Sequence, residues 1–203
     1  MNAPLIRSVG TRSVLYGAHC FLLHPWFVAR AWWMLYGFPF DPRLWIAFFV
    51  HDLGYVGKPN MDGPEGEAHV EFGARIMGAL FGSRWADFAR YHSRFYAKRD
   101  GRHFSRLCVA DKLAIALTPA WVYLPMARAT GEIREYMALA ETRNLVGGPA
   151  KYAGMNVQAE HQDQWYANVQ DYVRRWAMEH KDGRGDTWTP SGREASDASG
   201  VWK

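Results

Sequence analysis

The sequence predicts an all-α fold, a helical bundle folded as a single domain, and three observations carry the prediction. Apolar residues recur at spacings of three and four along most of the chain, and few stretches alternate as a half-buried strand would. Candidate caps and stops fall between the periodic segments. At 203 residues, 49% apolar and 15% aromatic, the chain can bury one real core without disulfides and is too short for two comfortable domains.

Taken in order, WFVARAWWMLYG after His24 and Pro25 reads as a short helix, with proline in the first turn and Gly37 where a left-handed stop is common. Asp41 and Pro42 supply an N-cap and a first-turn proline for RLWIAFFVHDLGY. That helix is apolar on nearly all sides, so it is expected to be the central, buried one. VGKPNMDGP is a loop. Glu65 to Leu80 is the next helix, with His69, Phe72, Ile76, Met77 and Leu80 at helical spacings, and Trp85 to Tyr96 is helical too. Ser105 can cap RLCVADKLAIAL, whose apolar face of Leu107, Ala110, Leu113, Ala114 and Leu117 also holds Asp111. TPAWVYLPMARATGE is read as an aromatic, proline-rich connection. Helices over Glu132 to Thr142 and Val157 to His180 complete the domain, which is expected to span residues 1–180. Residues 181–203, poor in apolar residues and rich in Gly, Ser and Asp, are expected to form a disordered tail.

Composition narrows the function classes. The two cysteines, Cys20 and Cys108, make no CxxC pair, which argues against a disulfide scaffold or a cysteine zinc site. The stretch Pro25 to Val50 is broken by Arg30, Gly37, Pro39, Asp41, Pro42 and Arg43, so it lacks the run of about 18 apolar residues that marks a span, and no membrane partner is expected. The N-terminus shows no apolar core behind a basic head, so a cytoplasmic location is expected. A net charge of +4, from 24 basic and 20 acidic residues, is spread along the chain. Nucleic acid is not required as a partner; a small anionic substrate suits this balance, and a homo-oligomer is compatible with it.

The chemistry-bearing residues form an ordered set: His24, then His51 with Asp52, then His69, His92 and Asp111. His51 and Asp52 end an apolar helix, where an unpaired imidazole and carboxylate each cost free energy. Asp111 is the strongest anomaly, a carboxylate inside an apolar helical run with only Lys112 as a neighbouring alternative. Each residue also has a plainer reading: His24 as a helix-end cap, His51 and Asp52 as a hydrogen-bonded core pair, His69 as a surface partner of Glu65, and His92 as a satisfied core histidine.

Together the set H … HD … H … H … D on an all-helical chain resembles the HD-domain superfamily of metal-dependent phosphohydrolases and its oxygenase relatives, over residues 15 to 120. The resemblance implies that His24, His51, Asp52 and Asp111 hold one metal ion, and that His69 and His92, with Asp52 bridging, hold a second. Borderline divalent ions accept neutral imidazole and carboxylate together, and the cofactor is expected to be two ions of Fe, Mn, Co or Mg. The sequence lacks the GYP signature of the cyclic dinucleotide phosphodiesterases after His92, and has Tyr55 after Gly54 where many phosphohydrolases carry lysine. The remaining histidines, His19, His103, His161 and His180, are read as structural or surface residues.

Substrate handles are sought among the cations that could meet phosphate or phosphonate oxygens. Of Lys58, Arg94, Lys98 and Lys112, with Asn60 as a polar companion, Lys98 and Lys112 are selected. Asp52 is expected at the reaction centre, and Glu65 or Glu67 as a general base or a partner of a ligating histidine. The leading expectation is a phosphohydrolase acting on a small phosphorylated substrate, such as a nucleotide, through metal-activated water. A di-iron oxygenase that cleaves a C–C or C–P bond uses the same ligands, and a catalytically inactive binding module is the third reading.

Overall fold

The computed structural model describes residues 8–145 and 162–183, and among these there is no strand. Helix α1 (Val9–Tyr16) starts at Ser8, whose hydroxyl accepts the Thr11 amide. This helix has no counterpart in the periodicity of the sequence. Helix α2 (His24–Tyr36) carries Pro25 in its first turn and stops at Gly37, which has φ 87°. Helix α3 (Pro42–Val50) is capped by the Asp41 carboxylate and runs into a 3₁₀ turn over Leu53–Tyr55.

Two expected helices are each divided. Glu65 to Leu80 becomes a single turn, α4 (Pro64–Glu67), followed by α5 (Val70–Phe81), and Trp85 to Tyr96 becomes α6 (Ser83–Arg90) and α7 (Arg94–Arg99). Helix α8 (Arg106–Leu117) agrees with the expectation, and α9 (Ala120–Thr130) does not. The segment read as a connection is helical despite Pro125, because Tyr123, Leu124 and Ala127 bury against the next helices and packing offsets the one backbone bond that proline removes. Gly131, at φ 88°, ends it before α10 (Glu132–Leu145). The last helix, α11, runs Gln162–His180; residues 157–161 of the expected helix, His161 among them, lie outside the described residues, as does all of the expected tail beyond residue 183.

The central helix is α8, a correction to the expectation for α3. Leu107, Cys108, Val109, Ala110, Asp111, Leu113, Ala114 and Ala116 are buried, which covers every side of α8, and it packs on α2, α6 and α11. In α3 only Ala47 and Phe48 are buried. Leu44, Trp45 and Val50 are half-buried against the same core, and Ile46 is the one exposed large apolar residue of α3. The carbonyls left open at the end of α8 are closed by α11: Tyr166 Oη lies 2.7 Å from the Ile115 oxygen and 2.8 Å from that of Thr118, and Arg174 donates to Ala116 at 3.0 Å. Among the described residues no single helix is long and apolar enough to cross a membrane.

Candidate metal centre

Four histidines reach the centre from the ends of helices. His24 opens α2, His51 closes α3, His69 precedes α5, and His92 lies in the turn between α6 and α7. A helix end is where backbone carbonyls lack their regular partners. Three of the imidazoles exploit this in one way: Nδ1–H of His51 donates to the Phe48 carbonyl at 3.0 Å, that of His69 to Gly66 at 2.7 Å, and that of His92 to Ala89. With Nδ1 donating, Nε2 is the nitrogen left facing the centre, free to take a metal ion or, beside the carboxylates, a proton. Asp111 is the exception, delivered from the middle of α8.

Gly54 lets the HD turn sit this close to His69. A Cβ there would come within 1.9 Å of the His69 carbonyl oxygen, so any larger residue would push the turn off α5.

The side chains form two groups that share one residue. His24 Nε2 lies 3.0 Å from Asp111 Oδ1 and 3.3 Å from Asp52 Oδ2, and His51 Nε2 lies 3.1 Å from Asp52 Oδ2. The other Asp52 oxygen, Oδ1, is 3.6 Å from His69 Nε2 and 3.5 Å from His92 Nε2. All six residues are buried, and within each group the ligand-type atoms lie within 4.8 Å of one another. The chain thus carries a buried His/Asp cluster able to hold metal, on an all-helical fold.

Two features say that this cluster fits a cation. His51 Nε2 and Asp52 Oδ2 are buried and 3.1 Å apart, yet neither makes a hydrogen bond. His69 Nε2 and His92 Nε2 stand 2.9 Å apart although both rings already donate through Nδ1, so two lone pairs face each other. A cation between them removes that repulsion. Electrostatics agree. Burial disfavours the His51 cation, but the Asp52 and Asp111 carboxylates outweigh it and push its pKa up to about 10. Burial also works against both carboxylates, yet His51 chiefly for Asp52, and His24 then His51 for Asp111, hold them well below the ordinary range. At His69 burial and then the neighbouring His92 lower the pKa, so the ring is neutral.

The other selected residues divide. Lys112 Nζ is 3.8 Å from Asp111 Oδ2 and partly exposed, so it stands at the rim of the first group. Lys98 is half-buried in the last turn of α7. Glu65 is on the surface, where Asn60 donates to it at 2.7 Å and lowers its pKa. Glu67 is the carboxyl on the inner side: it accepts from Ser93 at 2.9 Å, and burial, then Asp62, raises its pKa to about 7 against the pull of Lys112 and Arg94. His103 is exposed, while His180 is buried and stacks on Trp176.

The sequence gives no role to a further set of groups around Glu132, and His19, read as structural or surface, belongs to it. The fully buried Glu132 carboxylate accepts the Ala18 amide at 2.8 Å and the hydroxyls of Ser13, Thr130 and Tyr136 at 2.8, 2.7 and 3.2 Å. His19 Nδ1 lies 2.8 Å from Ser13 Oγ and 3.4 Å from Glu132 Oε2, and the ring lines the small cavity that also touches His24, His51 and Asp52. Tyr55 stacks on His69 at 3.9 Å, holding that ring from behind. The only local cue is Gly17, where a Cβ would fall 2.1 Å from Glu132 Oε1; the glycine makes room for a carboxylate 115 positions away.

No family model, no curated protein and no solved structure matches the chain.

Proposed function

We propose that the chain is a metal-dependent phosphohydrolase of the HD type that acts on a small phosphorylated substrate such as a nucleotide. One observation carries the reading: the two oxygens of Asp52 face two different histidine groups, the arrangement a bridging carboxylate needs. His24, His51, Asp111 and Asp52 Oδ2 would hold one ion, and His69, His92 and Asp52 Oδ1 the other. Ions held there supply Lewis acidity and bring the pKa of a coordinated water toward neutrality. Around them the chain's own groups divide the work. Lys112 meets the anionic part of the substrate, and Glu67, with its pKa raised to about 7, holds or passes a proton near neutral pH. Buried backbone carbonyls keep the imidazoles in one tautomer throughout.

The test is phosphate release from a panel of nucleotides and phosphomonoesters after reconstitution with Mn, Co, Mg or Fe, alongside elemental analysis of the protein. Metal-dependent release is expected, and a protein that releases none from any of them overturns the reading. A second reading has its own support. His69, His92 and Asp52 make a set of two imidazoles and one carboxylate, the donors that suit non-haem iron in oxygenases. Protein purified with two irons, consuming oxygen and releasing no phosphate from the panel, would favour it.

Lys112→Ala is expected to raise KM for the anionic substrate by about 10- to 100-fold, the worth of one charge-assisted contact, with a smaller change in kcat. Bound metal should stay at the wild-type ratio. A fall in metal content would instead assign Lys112 to holding Asp111.

A further inference from the structure

Helices α2 and α3, with the loops at their ends, leave an uncovered apolar face. The outward positions of α2 are Trp26, Arg30, Trp33 and Met34, and its three apolar members are 57%, 60% and 63% exposed. Leu22, just before α2, is 69% exposed, and Phe40, just after it, 86%. The rings form two clusters, one at each end of α2: Trp26 meets Trp45 and Phe49 edge-on near its start, and near its end Trp33 meets Phe38, which leans on Phe40. Side chains this large and this exposed offer on the order of 700–1,000 Å² of apolar surface, well beyond the few hundred Å² that monomers usually leave open.

Area alone admits a second copy of the chain, since about 800 Å² is what each partner contributes to a standard interface. Charge decides against it. Between Leu22 and Val50 the charged residues other than histidine are Arg30, Asp41 and Arg43. Asp41 is taken by Arg43, whose Nε and Nη2 donate to it at 2.9 and 2.7 Å. Arg30, exposed in the middle of the face, has no carboxylate partner among the described residues. A second copy would bring the same face and no free acid, and burying an unpaired guanidinium costs several kcal/mol. A lipid surface has no such conflict. Indole and phenyl rings sit well at headgroup depth, and an arginine among them reaches lipid phosphates.

We propose that the α2–α3 face docks on an anionic lipid bilayer, lying in the headgroup layer without crossing it. This replaces the expectation of no membrane partner and stands independently of the metal chemistry. The test is flotation of the full chain with vesicles of phosphatidylcholine, alone or with an equal part of phosphatidylglycerol. The chain is expected to float with both and more strongly with the anionic vesicles. Trp33→Glu and Phe40→Glu, at exposed positions, are expected to keep the wild-type helical circular dichroism and melting temperature while each lowers vesicle affinity about tenfold or more. Arg30→Gln should remove the preference for anionic vesicles. A wild-type chain that floats with neither kind overturns the proposal, and if it sediments as a dimer that Trp33→Glu splits, a second copy covers the face instead. Variants that bind vesicles as wild type does also overturn it.

Discussion

Asp52→Ala is expected to empty both halves of the centre at once. Asp52 is the one side chain present in each ligand group, with Oδ2 toward His24 and His51 and Oδ1 toward His69 and His92. Removing it leaves each group short of a negative charge that offsets a divalent ion. Metal charge stabilisation is worth several kcal/mol, so a loss of the proposed phosphohydrolase activity of about a thousandfold or more is expected. Elemental analysis separates this from an ordinary single-ligand loss: Asp111→Ala and His92→Ala should each spare the group they do not belong to. An Asp52→Ala protein that keeps two ions per chain would remove the bridging role, whatever its activity.

The second large effect falls on stability. Glu132→Ala strips the acceptor from the Ala18 amide and from the Ser13, Thr130 and Tyr136 hydroxyls, and leaves His19 without its buried partner. Breaking such a buried charged network costs about 3–5 kcal/mol, a large share of the ~5–15 kcal/mol that holds a domain folded. Urea unfolding measures it; a loss below about 1 kcal/mol would mean the network contributes little.

The same network gives the pH dependence a sign. Burial opposes the Glu132 charge, but His19 and the surrounding donors hold its pKa below the ordinary 4.5, so its contribution is present above that value and fades as pH falls through the folded pKa. Burial likewise opposes the His19 cation, yet Glu132, then Asp52, raises its pKa above 6.5, so its contribution is full below that value and is lost as pH rises through the folded pKa. The excess stability of wild type over Glu132→Gln is therefore expected to peak between pH 4.5 and 6.5 and to decline on both sides.

How much of this was legible in the sequence differs from residue to residue. Asp111 is visible because a carboxylate in an apolar helical run contradicts its surroundings, and the six residues of the centre stand out as an ordered His and Asp series along the sequence. The helix breaks at His51, His69 and His92 were not visible, because apolar spacing continues across them. At each break the imidazole turns back to the carbonyl three residues earlier, a local contact that periodicity does not encode. Helix α3 differs for the opposite reason: a pattern apolar on all sides reads the same whether its residues are fully buried or, like Leu44, Trp45 and Val50, only half-buried at the edge of the core. The Glu132 network was hidden because Ser13, Ala18 and His19 lie more than a hundred positions away from it.

The placement of the ligands has a mechanical consequence for the whole chain. His24 and Asp111 are 87 residues apart along the chain while His24 Nε2 lies 3.0 Å from Asp111 Oδ1, so an ion gripped by both would tether the polypeptide as a covalent cross-link does. Closing a loop of that length restricts the unfolded chain by about 4–5 kcal/mol in the entropic account of such links. An ion bound there would then also be a clasp, fastening α2 to the central helix.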